Sequence, residues 1–516
     1  MPDPMLMADM KDALALILRA IEKKKRITVF GDYDADGITA TALLVRFLSS
    51  IGAETDYYIP DRLAEGYGLN QGAIEKIHAG GTGLIVTVDC GISNSSEVAL
   101  AKDLGLDVII TDHHLVPPNF NALCPVINPH RTSCLFPFKT LAGVGVAFLL
   151  TVAVRSALRR KGVFHMIPEP DLREYLDLVA IGTIADRVPL LGLNRTLARS
   201  GISALSGSRW PGIRAMIEAT GLDSAGITGD DIAFRLAPRL NAPGRIGDPL
   251  MGMEILNTED ITRAKELAAE MNTVNSHRQA LEQEILDDAK YMISEVPERN
   301  RCKTFVLVSE KWHRGVLGIV ASKLVDEYNR PVILFTIDNG LAVGSGRSIR
   351  GFDLYGALVR LEHLLEKYGG HSRAAGLTIS SDKIKVLGQE LETLAGETLG
   401  DKDLVPTLDV DAEVSPREIS CDMIKQINSL SPFGEGNPEP VLVSRSMEVL
   451  ESRVVGEKHL KMRIGYEGRT FDSIGFGMAY RIPRNGEILH VAFVPEINRW
   501  RGYDSIQLRL VDFSVV

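Results

Sequence analysis

Three aspartates, Asp32, Asp34 and Asp36, take alternate positions in "VFGDYDADGITA", residues 29–40. Carboxylates packed this closely repel one another, and their ionised forms become harder to keep as water is withdrawn. The spacing calls for a positive partner. Two further apolar runs also end in ligand-type residues: "VTVDCG" gives Asp89, and "ITDHH" gives Asp112, His113 and His114. Asp186 follows an apolar stretch in "VAIGTIADRVPL". Taken singly, each acid reads as a helix cap or helix end, and His113 as a partly buried histidine. Together, carboxylates with one or two imidazoles suit Mn²⁺ or Mg²⁺ better than zinc or copper. So many negative ligands can hold two ions. Two ions about 3.5 to 4 Å apart can clamp the attacking and leaving oxygens of an in-line displacement at phosphorus.

These residues need elements to carry them. "RITVF" reads as a strand and Ile38 to Leu48 as a helix; "TDYYIP", "GLIVTVD" and "LDVIITD" read as further strands, with helices over "NQGAIEKIHAG", capped by Asn70, and "NSSEVALAKDLG". Strands this apolar, each followed by a helix, predict a parallel sheet covered on both faces. In such a sheet ligands bind beyond the carboxyl ends of the strands, which is where the acids lie. Residues 172–220 read as mostly helical. Residues 257–295 lack Gly and Pro and repeat apolar residues at three- and four-residue steps, which predicts one long helix of roughly 50 Å. A second alternating region follows, with strands at "TFVLVS" and "PVILFTI", helices at "GVLGIVASKLVDEY" and "LYGALVRLEHLLEKY", and a strand or loop at "LAVGSGRS". From about residue 402, short strand-like runs such as "TLDVDAEV" and "HLKMRIGYEG" predict a β-barrel of about five strands, of OB-fold type. The aromatic and basic residues of "NRWRGYDSIQLRL", Trp500 among them, suit either base stacking or the barrel core.

At 516 residues the chain predicts several domains. A net charge of −10 gives no general attraction to nucleic acid or anionic membrane. Five scattered cysteines without a C-x-x-C pair argue against a zinc site or disulfide framework and for a reducing compartment. The N-terminal residues have no signal-peptide pattern. The longest uncharged apolar stretch, residues 140–154, is too short to span a bilayer and reads as a buried helix. A cytoplasmic protein without membrane contact is expected.

"DYDADG", "VDCG", "TDHH" and "GTIAD" resemble the successive motifs of the DHH phosphoesterase superfamily. "GGHSRAAG", "WHRGVLGIVASKL" and "GSGRS" resemble its DHH-associated domain, and "SPFGEGNPEPVL" the segment leading into the OB-fold of its single-strand-specific 5′→3′ DNA exonucleases. Order and spacing match over nearly the whole chain. The resemblance implies an α/β fold: a parallel-sheet DHH domain (1–256), a long connecting helix (257–300), a second α/β DHH-associated domain (301–400) and an OB-like barrel (401–516). It implies metal ligands at Asp34, Asp36, Asp89, His113 and Asp186, with Asp32, Asp112 and His114 close by. His114 would orient the site or stabilise charge, and Asp112 would hold an imidazole in one tautomer. On the substrate side it implies Arg62, Ser345 and Arg347 at the terminal 5′-phosphate, His371 near the scissile phosphate, and Arg239, Asn241 and Arg245 as backbone or site contacts. Without the family, Arg62 reads as a surface arginine, "GSGRS" as a strand-end turn and residues 237–248 as an irregular loop.

The implied activity is release of 5′-mononucleotides from single-stranded DNA in repair and recombination. A monomer is expected, with a single-stranded-DNA-binding protein and a RecQ-type helicase as partners. The alternatives are a DHH phosphodiesterase acting on short oligoribonucleotides, cyclic dinucleotides or pyrophosphate, and a non-catalytic DNA-binding scaffold. Those smaller enzymes lack the β region, and a scaffold would not need the full acidic set. Relatives in the resembled branch usually carry a further segment ahead of "PDPMLMADM". Arg314 stands where proline is frequent, and Gly346 where alanine is.

Overall fold

The computed structural model describes every residue except Leu63, Pro297, Glu298, Asn300, Arg501 and Gly502, together with the side chains of Arg499, Trp500, Tyr503 and Asp504. Side chains 499–504 of the aromatic–basic run, Trp500 among them, therefore fall outside the described residues. The chain forms two compact units, residues 1–186 with 200–406, and residues 187–199 with 407–516.

The first unit begins with α1 (Met10–Glu22), β1 (Arg26–Phe30), α2 (Ala35–Ser50), β2 (Thr55–Tyr58), α3 (Gln71–Ala79), β3 (Thr82–Val88), α4 (Ser95–Asp103), β4 (Asp107–Thr111) and β5 (Val126–Ile127). Their apolar strands form one parallel sheet in the order β2-β1-β3-β4-β5, with Val29 of β1 in register with Tyr57 of β2 and Val86 of β3. The chain order reverses at β1, so a crevice opens beyond the carboxyl ends of β1 and β3. The apolar stretch after residue 140 is α5 (Gly143–Arg160), whose first nine residues are all buried, as a core helix requires. α6 (Leu176–Ala185), α7 (Gly192–Leu205, of which residues 200–205 fall in this unit and 192–199 in the second), α8 (Pro211–Ala219) and the one-turn α9 (Gly229–Asp231) follow.

Residues 237–246 are helical, not an irregular loop. A π turn (Ile232–Leu236) leads into α10 (Ala237–Asn241) and α11 (Pro243–Ile246). Pro238 and Pro243 sit in first turns, where no N–H is needed, so they start helices instead of breaking them. α12 (Leu250–Asn257) comes next. The long helix α13 starts at Ile261, not 257, because Asp260 caps it through the Thr262 N–H at 2.8 Å; it runs to Glu295.

The same unit continues with β6 (Phe305–Val308), α14 (Leu317–Tyr328), β7 (Val332–Asp338), β8 (Leu341–Arg347), α15 (Leu354–Arg360), β9 (Leu365–His371), β10 (Ala374–Ser380) and α16 (Ile384–Thr398). The sheet order is β6-β7-β8-β10-β9. "LYGALVRLEHLLEKY" is thus α-helical only to Arg360, with a 3₁₀ turn over Glu362–Leu364, and its tail is an edge strand. Gly369 and Gly370, the latter at φ 141°, pair with β10, and this ladder overrides the local helical pattern.

In the second unit β11 (Ala412–Glu413) is all that "TLDVDAEV" contributes as strand. After α17 (Cys421–Asn428) come β12 (Leu442–Val455), β13 (His459–Tyr466), β14 (Arg469–Gly475), β15 (Ile488–Trp500) and β16 (Tyr503–Val515). They run β12-β13-β14-β16-β15, and pairing of β12 with β15 closes a five-stranded barrel. Among the described residues, no helix is long and apolar enough to cross a membrane.

Candidate metal and phosphate site

The turn after β1 is shaped by the need to satisfy the first N–H groups of α2. Asp34 is its N-cap: Oδ1 accepts from the N–H of Asp36 at 3.0 Å and of Gly37 at 3.1 Å. Asn241 of α10 accepts from Ala35 N at 2.8 Å. The capping and ligand readings of Asp34 are therefore compatible, because one oxygen caps and the other is left over. Asp36 accepts from the N–H groups of Gly143 at 2.6 Å and Val144 at 2.9 Å, at the start of α5.

Asp89 leaves β3 with φ 61°, a left-handed conformation that aspartate tolerates better than most residues. Asp112, after β4, is fully buried and spends its carboxylate on protein donors. It accepts from Ile92 N (2.9 Å), His113 N (2.7 Å) and His114 N (3.0 Å), and pairs with His114 Nδ1 at 2.7 Å. It holds the two histidines in place. Burial pushes the Asp112 carboxyl up, but the His114 hydrogen bond and charge outweigh it and leave it below the usual value.

The remaining atoms converge. His113 Nε2 lies 3.0 Å from Asp89 Oδ1 and 3.6 Å from Asp186 Oδ2, at the end of α6. Neither approach has hydrogen-bond geometry: Asp32 Oδ1, Asp89 Oδ1, His113 Nε2 and Asp186 Oδ2 are all buried and without a hydrogen-bond partner. Native proteins rarely bury four such atoms together unless something binds them. Ligand atoms of Asp32, Asp34 and Asp89, of Asp36, His113 and Asp186, and of Asp89, His113 and His114 fall within 4.8 Å of one another in each group. The donor set fits one or two hard divalent ions.

Burial is the main cause that lifts the carboxyls of Asp32, Asp36, Asp89 and Asp186, Asp36 to about 6; neighbouring carboxylates add to it. For His113 burial pulls the other way, yet Asp186 and Asp36 raise it overall. A raised carboxyl contributes stability that is present at acid pH and lost as pH rises through its folded value. The metal-free protein should therefore lose stability as pH climbs through about 6. A bound cation holds the carboxylates ionised and releases protons. Melting curves at about pH 5.5 and about pH 8 should show a larger Mn²⁺-induced rise in Tm at the higher pH. An equal or smaller rise there would contradict this electrostatic account.

Close packing explains two motif glycines. A Cβ at Gly143 would lie 2.7 Å from Asp89 Oδ1, and one at Gly182 would lie 2.4 Å from Thr39 Oγ1 and 2.7 Å from Asp36 Oδ1. Gly182→Ala should cost about 1–3 kcal/mol by overpacking and weaken Mn²⁺ binding through displacement of Asp36. Thermal melting and calorimetric metal titration would show both effects; an unshifted metal affinity would contradict the packing argument.

Three arginines gather beside the acids. Arg245, half-buried, gives one hydrogen bond to Gly315 O at 3.3 Å, and is lowered to about 10 by burial first, then by Arg62, with Arg278 and Arg347 adding. Burial and Arg62 also lower Arg347. Arg62 lies over the Tyr33 ring, 5.3 Å from its centroid. Arg278 of α13 is balanced by Glu282 at 2.6 Å, whereas none of Arg62, Arg245 and Arg347 has a carboxylate within 4.0 Å among the described residues. Ser345 and Arg347 alternate on β8, and Arg347 donates to Ser345 Oγ at 3.2 Å. His371 of β9 and Arg347 of β8 flank the same residue, Ala374 of β10. Arg239 is not brought into this group; it donates to Asn272 of α13 at 2.7 and 3.1 Å and to Arg235 O at 2.5 Å.

Sequence reasoning missed three contributors: the Gly143 and Val144 amides, Arg278, and Tyr67, whose hydroxyl donates to Asp89 O at 3.0 Å and lies 3.2 Å from His114 Nδ1. The small residues of "TLAGVG", just ahead of an apolar helix, were the one available signal for the amides.

Family models for the DHH family N-terminal domain, the DHHA1 domain and the RecJ OB domain match residues 26–183, 290–397 and 410–512. The single-stranded-DNA-specific exonuclease RecJ of Bacillus subtilis is 39% identical over 99% of this chain, which spans 64% of that relative's length. RecJ of Dickeya dadantii is 38% identical over 98% of this chain and 90% of the relative. The crystal structure of Thermus thermophilus RecJ in complex with Mn²⁺ matches with a TM-score of 0.83 at 32% identity, over 98% of this chain and 72% of that one. Its Mg²⁺ complex matches over 98% and 70%, at the same 32% identity, with a TM-score of 0.77.

Proposed function

The chain belongs to the RecJ family of DHH phosphoesterases, and on that premise we propose that it is a metal-dependent 5′→3′ exonuclease that degrades single-stranded DNA to 5′-mononucleotides in repair and recombination. The observation that carries the reading is the set of four buried, unpartnered ligand atoms brought together from separate chain segments. Asp32, Asp34, Asp36, Asp89, His113 and Asp186 would hold Mn²⁺ or Mg²⁺, with His114 beside them. Divalent ions there neutralise the crowded carboxylates, polarise the phosphodiester and activate a water.

The protein's own groups do the rest. Arg62, Ser345 and Arg347 grip the terminal 5′-phosphate, which sets polarity. Arg245 adds positive charge next to Asp34, and His371, across β10 from Arg347, serves the scissile phosphate. Asp112 keeps the proton of His114 on Nδ1, so that Nε2 faces the reaction. Water oxygen joins phosphorus, the P–O3′ bond breaks, and the 3′-oxygen leaves with a proton. We extend the proposal to the domain limits implied by the motifs, and to a cytoplasmic monomer working with a single-stranded-DNA-binding protein and a RecQ-type helicase, which rest on the family alone.

The full acid set and the RecJ-type barrel weigh against both the short-substrate phosphodiesterase and the scaffold. Hydrolysis of a single strand and of its blunt duplex, with Mn²⁺ and with chelator, tests the reading. Metal-dependent loss of the single strand only is expected; equal attack on the duplex, or turnover in chelator, would contradict it.

A further inference from the structure

We propose that a cavity of about 710 Å³ at the carboxyl end of α2 is a binding site for a guanine base. Its volume is that of a small-molecule site. It lies away from the acids: α2 carries Asp34 and Asp36 at its start and turns Arg46 and Ser49 to the cavity near its end, about 15 Å further along the axis. The wall is fixed before anything binds. Trp210, just ahead of α8, is 4% exposed and donates from Nε1 to Asp177 Oδ1 at 3.2 Å, while Ser208 Oγ donates to Asp177 Oδ2 at 2.7 Å. The Arg46 guanidinium lies over that indole, 4.1 Å from the ring centroid, and its Nε donates to Leu256 O at 2.9 Å. A planar fork stacked on a locked ring and tied at Nε has little freedom left to lose.

Two polar atoms in this cavity are left over. Arg46 Nη2 and Asn257 Oδ1 are both buried without a hydrogen-bond partner, although one donates and the other accepts. They belong side by side, because Arg46 is tied to Leu256, the residue before Asn257 at the end of α12. Buried groups left unpaired in this way are costly. The charges narrow the occupant. Glu169, Asp171 and Glu174 line the cavity, but each is paired: Glu169 with Arg155 at 3.6 Å, Asp171 with Arg173 at 2.6 Å, and Glu174 with Arg209. Among the described residues, Arg46 has no carboxylate within 4.0 Å and Glu259 no cation. Burial holds Arg46 below its ordinary value, and Glu259 is the foremost charge working against this. Thr258, between Asn257 and Glu259, is extended with ψ 140°, and both neighbours line the cavity. The site therefore offers one donor and then two acceptors. A free phosphate would meet Arg46 but oppose Glu259, and a polyamine would do the reverse. Among the four DNA bases, guanine alone carries an acceptor followed by two donors on one edge, O6, N1–H and N2–H. Adenine, cytosine and thymine each leave a second acceptor where Asn257 or Glu259 needs a donor. In the proposed complex O6 accepts from Arg46 Nη2, and N1–H and N2–H donate to Asn257 Oδ1 and Glu259.

The base could come from deoxyguanylate released by digestion or from a guanine ribonucleotide. The test is isothermal titration calorimetry of the full chain in EDTA with nucleosides, which bring no phosphate to the arginines beside the acids. Guanosine or deoxyguanosine should bind with a Kd on the order of 0.1 mM, as expected for a ligand of this size. The tighter of the two identifies the source, and either order supports the site. Inosine, which lacks the N2 amine, and adenosine should bind at least about tenfold more weakly than guanosine. Glu259→Ala, at an exposed position, should weaken guanosine about tenfold and leave digestion of a single strand as in the wild type. The inosine comparison uses the wild type, so it decides the matter even if the variant melts early. No saturable binding at about ten times the expected Kd would overturn the proposal. So would equal affinity for inosine, unchanged affinity in a stably folded Glu259→Ala, or displacement of guanosine by an oligothymidylate, which would place the base in the substrate path.

Discussion

Asp89→Asn is expected to lower kcat on single-stranded DNA by about a thousandfold or more and to weaken Mn²⁺ binding sharply. Asp89 has ligand atoms in two of the three candidate groups, so its loss removes a shared anchor. Asparagine is the informative replacement because it keeps the size and, like aspartate, accepts the left-handed backbone at φ 61°. Alanine would add backbone strain of about 1 kcal/mol or more and blur the result. Burial and the Asp36 and Asp34 charges push the Asp89 carboxyl up, so neutralising it should raise the Tm of the metal-free protein. Loss of turnover together with gain in metal-free stability is the signature of a ligand. Loss of both would mark a structural residue, and turnover within about threefold of wild type would remove Asp89 from the site.

Arg347→Ala is expected to lower kcat/KM on 5′-phosphorylated strands by about tenfold to a hundredfold, the range for a charged hydrogen bond. It should also erase the preference for a 5′-phosphate over a 5′-hydroxyl. Arg62 stands close enough to lower both Arg245 and Arg347, and Arg347 adds to the effect on Arg245, which costs stability until a multiply charged anion arrives. Removing one should therefore leave Tm unchanged or raise it. Arg347→Lys keeps the charge but not the planar fork, and should recover only part of the preference. Parallel assays on phosphorylated and dephosphorylated strands read this directly. A uniform drop on both would place Arg347 in general DNA binding, not at the terminus.

Strand ends could be read from local residue patterns, and they carried most of the site. "VFGDYDADG", "VTVDCG" and "ITDHH" each put acids where a parallel sheet ends, and that sheet needs only apolar β-branched runs separated by helices to be recognised. The barrel's five-strand make-up and α13 were legible for the same local reason, although its strands run longer than the short segments the sequence suggests. What remained hidden depends on contacts between distant segments. Nothing near Asp36 reveals that Gly143 and Val144 will donate to it, and nothing near Ala35 reveals Asn241. Leu365–Tyr368 reads as helix until β10 lies beside it. Pro243 and Gly244 read as a loop, although the proline starts a helical turn. Arg239 resembles Arg245 in sequence context, and only packing against Asn272 separates them.

The most direct measurement is a time course on a single strand labelled separately at its 5′ and 3′ ends, with Mn²⁺, for the wild type and Asp89→Asn. The account predicts mononucleotides released from the 5′ label at once and from the 3′ label only as digestion completes, with neither from the variant nor in chelator. Early release of the 3′ label, or equal release by Asp89→Asn, would contradict it.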